Sequence, residues 1–168
     1  MNEELRSVLL GTAGLSVGAV VALFLTVTRG RIGAGPAALR ASVRLAAFAV
    51  LLRSAHFAEE LATGFHQRFP GLLGLAPWSS RFFISFNLFW LAAWGLGLWG
   101  LATRHRSALF PLWFLAIAGI ANGLAHPLFS VRIGDYFPGL FTSPFVGVVG
   151  LLLLFVVTGP RNASLGAA

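Results

Sequence analysis

The chain has 168 residues, 57% of them hydrophobic and 10% charged, with a mean hydropathy of +0.84, far from the composition of soluble domains, so it reads as an integral membrane protein whose surroundings are the lipid bilayer. All twelve basic residues are arginine and the net charge is +7, but the arginines stand at the ends of apolar runs, which argues for membrane topology and against nucleic acid as a partner. The absence of cysteine excludes disulfides, thiolate catalysis and sulfur-ligated metals, leaving His, Glu, Asp, Tyr and Asn to carry chemistry.

The first apolar run covers residues 8–28, about 21 residues or about 31 Å of helix, enough to cross a bilayer core. The leading Met-Asn-Glu-Glu-Leu-Arg carries two acids where a cleaved signal peptide has a positive region, so the run is expected to be a retained span. Residues 29–44 form a connector bearing Arg29, Arg31, Arg40 and Arg44, whose glycines and Pro36 argue against a long helix through its first half. The second span is expected over residues 45–65. A loop over residues 66–80 follows, in which Trp78 suits a membrane interface and Ser79 or Ser80 can cap the next helix.

The third span, residues 82–103, contains Asn87 and the helically spaced Trp90 and Trp94, which read as packing residues rather than a cofactor box. After Arg104-His105-Arg106, the fourth span, residues 109–129, carries Asn122 and His126 on one face. A turn containing Tyr136, Pro138 and Gly139 leads to the fifth span, residues 140–157, started or kinked by Pro144. The polar tail contains Asn162-Ala163-Ser164, which matches a glycosylation acceptor pattern. Without a soluble domain, internal repeat or low-complexity tract, residues 1–168 are expected to form one all-α polytopic transmembrane helical bundle of about five spans.

Arginine placement orients it. The connector, the loop after span three and the tail hold Arg29, Arg31, Arg40, Arg44, Arg104, Arg106 and Arg161, against Arg6, Arg68, Arg81 and Arg132 on the other side. The positive-inside rule then puts the amino terminus outside and the carboxy terminus in the cytoplasm, in a bacterial inner membrane. In that orientation the polar residues of spans two, three and four converge toward the outer leaflet.

The richest stretch is Arg53 to Glu60, which carries two of the five acidic residues in the chain. At about 100° per residue, His56 and Glu60 lie roughly 40° apart, Glu59 roughly 60° to the other side, with Arg53 and Thr63 bounding the stripe. A carboxylate near mid-bilayer costs on the order of 3 kcal/mol, so such a group needs a partner or a use. One reading is a metal site: His56, Glu59, Glu60 and His126 as ligands, with Asn122 beside them, an N/O donor set suited to zinc, iron or manganese. Di-metal bundles draw carboxylates from several helices, whereas span four brings none, so a mononuclear site is expected. A second reading is metal-free acid/base chemistry by the Glu and His groups. The third is a structural network in which Arg53 and His56 neutralise Glu59 and Glu60. His105 reads as a solvated loop residue and His66 as an interfacial one, with a ligand role for His66 the lesser alternative.

His56-Phe-Ala-Glu59-Glu60, followed by His126 and then Tyr136-Phe-Pro138-Gly139, resembles the HXXEE family of small membrane proteins, marked by the same motif, a later histidine and a Tyr-x-Pro-Gly element. The resemblance covers roughly residues 44–150 in the expected order and leaves the first span outside the motifs. It supports the site and supplies no substrate, since no function is assigned to the family. Physically, Pro138 fixes φ, Gly139 permits a left-handed position and Tyr136 offers a hydroxyl, so the element is either a lid over the site or a rigid turn. The function expected is a membrane-embedded enzyme acting on a lipid or other apolar substrate, with His56, Glu59, Glu60, His126 and Tyr136 as ligands or acid/base groups. The alternative is a proton-coupled transporter or ligand-binding membrane protein using the same cluster, against which the absence of an inverted repeat counts.

Overall fold

A computed structural model describes residues 2–29 and 35–158; Arg31 of the connector and the tail with Arg161 and Asn162-Ala163-Ser164 lie outside the described residues. Every regular element among the described residues is helical: α1 (Glu3–Gly11), α2 (Ala13–Arg29), α3 (Pro36–Ala62), α4 (Phe65–Leu72), α5 (Ser80–Ala102), a 3₁₀ turn (Arg106–Ala108), α6 (Leu109–Ile133) and α7 (Ser143–Thr158). Three stretches are long and apolar enough to cross a membrane, namely α3, α5 and the 3₁₀ turn with α6, and a fourth is gained if α1 and α2 count as one span bent by 45°. The fifth expected span corresponds to α7, whose 16 residues give about 24 Å of helix, short of a bilayer core of about 30 Å.

Three boundaries differ from the sequence reading, each for a local reason. The first run breaks at Thr12, whose hydroxyl donates back to the Val8 carbonyl at 2.7 Å, a bond that competes with regular helix geometry and bends it. Much of the presumed connector is already helix, because Pro36 sits at the first helical position, where its missing N–H costs nothing. The presumed loop contains α4, which starts after Gly64 turns the chain at φ +80°.

The centre of the bundle is α6: 50% of its apolar stretch is buried, against 28% for α3 and 22% for α5. Its first half, Leu109 to Ala118, supplies Leu112, Trp113, Phe114, Leu115 and Ala116 to the core, with Trp94 of α5 and Leu153 of α7. Trp90 and Trp94 pack on Phe114, as packing residues should. The short α7 is held by backbone approach rather than by side-chain bulk. A Cβ on Gly123 would lie 2.6 Å from the Gly147 Cα, and one on Gly150 would lie 2.8 Å from the Ala116 carbonyl, so small residues set this crossing.

The first helical pair belongs to the same body. Ser7 of α1 donates to the Ala76 carbonyl at 2.6 Å and accepts from the Trp78 indole at 3.1 Å, and α2 lies along α6. Trp78 is therefore buried beneath α1, at 6% exposure, rather than set out as an interfacial anchor. Ser79 caps α5 as expected, its hydroxyl accepting from the Phe82 N–H.

Candidate metal centre

The carboxy-terminal half of α3 and that of α6 face each other, and three side chains meet between them. His56, Glu60 and His126 are buried, with exposures of 0%, 2% and 1%. Their ligating atoms lie within 4.8 Å of one another, and theirs is the one such group found among the described residues. Glu60 Oε1 stands 3.4 Å from His56 Nε2 and 3.4 Å from His126 Nε2. The four-residue spacing of His56 and Glu60 puts both on one helical stripe, as read from the sequence. Asn122, one turn before His126, adds a fourth atom: its Oδ1 lies 2.9 Å from His126 Nε2 and 3.4 Å from His56 Nε2.

The hydrogen bonds around the rings decide where their protons are. His126 Nδ1 lies 2.5 Å from the Pro138 carbonyl, which can only accept, so Nδ1 carries hydrogen. The Thr142 hydroxyl donates to Glu59 Oε2 at 2.5 Å and so accepts from His56 Nδ1–H at 2.6 Å. Asn122 donates its Nδ2 to the Ala118 carbonyl at 2.7 Å, which turns Oδ1 toward the histidines. In the neutral rings both Nε2 atoms then present lone pairs. Four acceptors, two imidazole nitrogens, a carboxylate oxygen and an amide oxygen, face one another with no proton between them.

The mismatch is relieved by a proton on one ring or on Glu60, by protons on both rings, or by a cation. Both rings can be protonated, which sets two cationic imidazoles with centroids 4.8 Å apart near Arg53 in an apolar bundle. A cation can instead sit among the four atoms. Charge-assisted hydrogen bonds run to about 2.7–2.9 Å, whereas two ligands of a tetrahedral ion with bonds of about 2.0–2.1 Å lie roughly 3.3–3.4 Å apart. Of the six separations among the four atoms, three are 3.4 Å and one is 2.9 Å, while the ligand atoms of His56, Glu60 and His126 spread over as much as 4.8 Å. The donor set could hold a metal ion once the two rings draw in, and the outer contacts are of the kind found around metal-bound histidines, which hold their other N–H on a carbonyl or a carboxylate chain.

Glu59 is not among these atoms. It turns away from Glu60 and accepts four hydrogen bonds: from the Tyr136 hydroxyl (2.8 Å), the Phe141 N–H (3.0 Å), the Thr142 N–H (2.9 Å) and the Thr142 hydroxyl. Its expected role as a ligand is therefore corrected to that of the anchor that fixes Thr142 and, through it, His56. Tyr136 likewise reaches Glu59 rather than the histidines. Burial, and then the hydrogen bond to Glu59 and its charge, push the Tyr136 phenol above its ordinary pKa.

The Tyr-x-Pro-Gly element closes the site. The Pro138 carbonyl orients His126, and Gly139, at φ +89°, lies flat on both rings: a Cβ there would come within 2.5 Å of His126 Cε1 and 2.9 Å of His56 Cε1. It is thus both a rigid turn and a cover.

The remaining expected residues are placed as follows. Arg53 is buried and meets Glu60 from the far side, its Nη2 4.0 Å from Oε2. Asn87 is buried near Arg53 and donates to the Phe83 carbonyl at 3.0 Å, outside the centre itself. His66 is buried, bonded to the Ser80 hydroxyl at 3.0 Å and stacked on Phe83, so it is no ligand of this group. His105 is exposed and stacked on Trp99. Sequence reasoning missed Thr142, whose place just before Ser143-Pro144 signals only a helix start. It also missed Phe65, which packs 5.4 Å from the His126 ring. Compared with protein-family models, curated proteins and solved structures, the chain matches none.

Proposed function

We propose that this chain is a membrane-embedded enzyme with one transition-metal ion, of the zinc, iron or manganese class, held by His56, Glu60 and His126 with Asn122, acting on a lipid or other apolar substrate. The observation that carries the reading is the convergence of four acceptor atoms, three of them fixed inward by outer hydrogen bonds and the fourth, on Glu60, backed by Arg53 at 4.0 Å. Such an ion supplies a Lewis acid and a bound water acidic enough to lose its proton near neutrality. The chain's own residues do the rest: Glu60 places a carboxylate at the centre, Asn122 and the two rings set its shape, and Gly139 and Pro138 exclude solvent. Membership of the HXXEE family is part of this proposal and rests on the ordered motifs.

One observation favours an enzyme over the transporter alternative. Beyond Arg53 the interior among the described residues is packed with apolar side chains of α6, including Leu112, Phe114, Leu115 and Ala116, which argues against a polar path to the other end of the bundle. The arginine distribution, as part of the same proposal, sets the centre toward the outer leaflet of a bacterial inner membrane. A carboxy-terminal reporter fusion active only in the cytoplasm supports that orientation, and a periplasmic signal reverses it.

The test is elemental analysis of protein purified without chelators. About one equivalent of metal is expected, lost in both His56→Ala and His126→Ala while the helical circular-dichroism signal is kept. Protein that holds no metal and binds no added zinc, iron or manganese would move the reading to acid/base chemistry by the protonated histidines and Glu60.

A further inference from the structure

On the far side of Glu60, Arg53 is 7% exposed and Trp94 2% exposed, yet Arg53 Nε and Nη1 and the Trp94 Nε1 have no hydrogen-bond partner among the described residues. Both side chains line one small cavity, about 10 Å³ and so room for about one water-sized molecule, walled by Leu15, Phe86, Trp90 and Asn87. Buried donors are nearly always satisfied, and each one stranded costs about 1–3 kcal/mol. We infer that this cavity is a binding site for one small monovalent anion of halide size, held by Arg53 and Trp94 beside the centre.

Two arguments favour an anion over a water. A water offers two lone pairs and has two hydrogens to place, whereas the unpaired atoms here are three donors, one pair of them on a guanidinium. The second argument is charge and rests on the metal reading. Among the described residues Glu60 is the one carboxylate paired with Arg53, at 4.0 Å, and Glu60 shares its other oxygen with both histidines. With a divalent ion bound, one carboxylate stands against three positive charges in an apolar bundle, with Glu59 held apart by Tyr136 and Thr142. The Trp94 face, 5.8 Å from the Arg53 Cζ, offsets part of the guanidinium charge but accepts none of its hydrogen bonds. An anion in the cavity takes up the donors and lowers the net charge, so metal and anion bind with positive coupling.

The experiment is thermal unfolding in detergent micelles of metal-loaded and chelator-stripped protein, in sodium chloride, sodium bromide and, at equal ionic strength, sodium gluconate, whose anion is too large for the cavity. Chloride and bromide are expected to raise the unfolding temperature saturably in both forms, at lower concentration when metal is bound, and a bromide soak is expected to give an anomalous peak between Arg53 and Trp94. Trp94→Phe keeps the ring and removes one donor, and should raise the half-saturating halide concentration about tenfold; Arg53→Met should abolish the response. Equal unfolding temperatures in halide and gluconate, or a cavity that holds only water in the bromide soak, overturn the inference. A halide response in stripped protein that never binds metal overturns the metal reading and leaves the anion site standing.

Discussion

Replacing Gly139 with alanine, beside the same change at Gly134, isolates what the turn does for the histidines. Both glycines have positive φ, +89° and +69°, so each substitution carries the left-handed penalty of about 1–2 kcal/mol. They differ in space. A Cβ at 134 meets nothing within 4 Å, whereas one at 139 would lie 2.5 Å from His126 Cε1, 2.6 Å from His126 Nδ1 and 2.9 Å from His56 Cε1. Carbon contacts relax at about 3.5–4.0 Å, so both rings must retreat by roughly 1 Å. Neither is free to do so: His126 is tied to the carbonyl of Pro138, one residue away, and His56 to Thr142. Overpacking of this kind adds about 1–3 kcal/mol, giving about 2–5 kcal/mol for Gly139→Ala against about 1–2 kcal/mol for Gly134→Ala. Ligand distances tolerate only about 0.2 Å, so metal affinity should fall at least about tenfold for Gly139→Ala and stay unchanged for Gly134→Ala. Denaturant unfolding in micelles and competitive metal titration read the two quantities. Equal costs and equal affinities for the pair would refute the idea that Gly139 is pressed on the rings.

Glu59→Gln keeps the shape but turns an amide N–H₂ toward a set of donors, so it should cost about 1–3 kcal/mol of stability and lower metal affinity about 10- to 100-fold without removing a ligand; metal loss as complete as in His56→Ala would show that Glu59 ligates after all. Tyr136→Phe removes one bond to that carboxylate, and its cost should depend on pH. Burial and the Glu59 contact raise the phenol's pKa in the folded state, so the stability that the wild type holds over Tyr136→Phe is full below the unfolded value of about 10 and fades as pH rises past the folded one; unfolding from neutral pH to the alkaline limit checks the sign, and a loss on acidification would contradict it. Gly123→Ala forces a Cβ within 2.6 Å of the Gly147 Cα, where no side chain can give, and should cost about 1–3 kcal/mol, whereas Gly95→Ala, with nothing within 4 Å, should be neutral or stabilising; hydrogen exchange in α7 should quicken only in the first.

Much of this architecture can be read in the sequence because long apolar helices follow simple rules. Apolar length marked the helices, and spacing of four brought His56 to Glu60 and Asn122 to His126 before any tertiary contact was known. Boundaries failed where one residue type serves two purposes. Pro36 reads as a breaker but is also the favoured first residue of a helix, and α4, with His66, Gln67, Arg68 and Pro70, has the composition of a loop. Glu59 lies outside the group of ligating atoms for a different reason. Its angular position lies within reach of either the bundle interior or the turn before α7, and only the approach of Phe141 and Thr142 settles which. The Pro138 carbonyl, which orients His126, leaves no mark on a sequence, since every residue has one.

The distribution of donors and acceptors argues for a site over a structural network. A network that serves only to join helices pairs donors with acceptors throughout, because a half-satisfied one is worse than an apolar core. Around the histidines, Asn122 and Glu59 the outer contacts meet that standard: both Nδ1–H groups end on oxygen, the Asn122 amide ends on a carbonyl, and four donors saturate Glu59, while Arg53 behind Glu60 keeps two unpaired donors. The inner ring breaks it, with two nitrogens and two oxygens set acceptor against acceptor. With neutral rings, the bonds of the two Nδ1–H groups and of the Asn122 amide turn three lone pairs toward the centre, where Glu60 supplies the fourth acceptor. Consecutive glutamates do both jobs, because a helix step of about 100° sends Glu60 inward and Glu59 to the turn. The satisfied carboxylate therefore holds in place the frame that sets its neighbour and both histidines within reach of one another, as a group that could hold a metal ion.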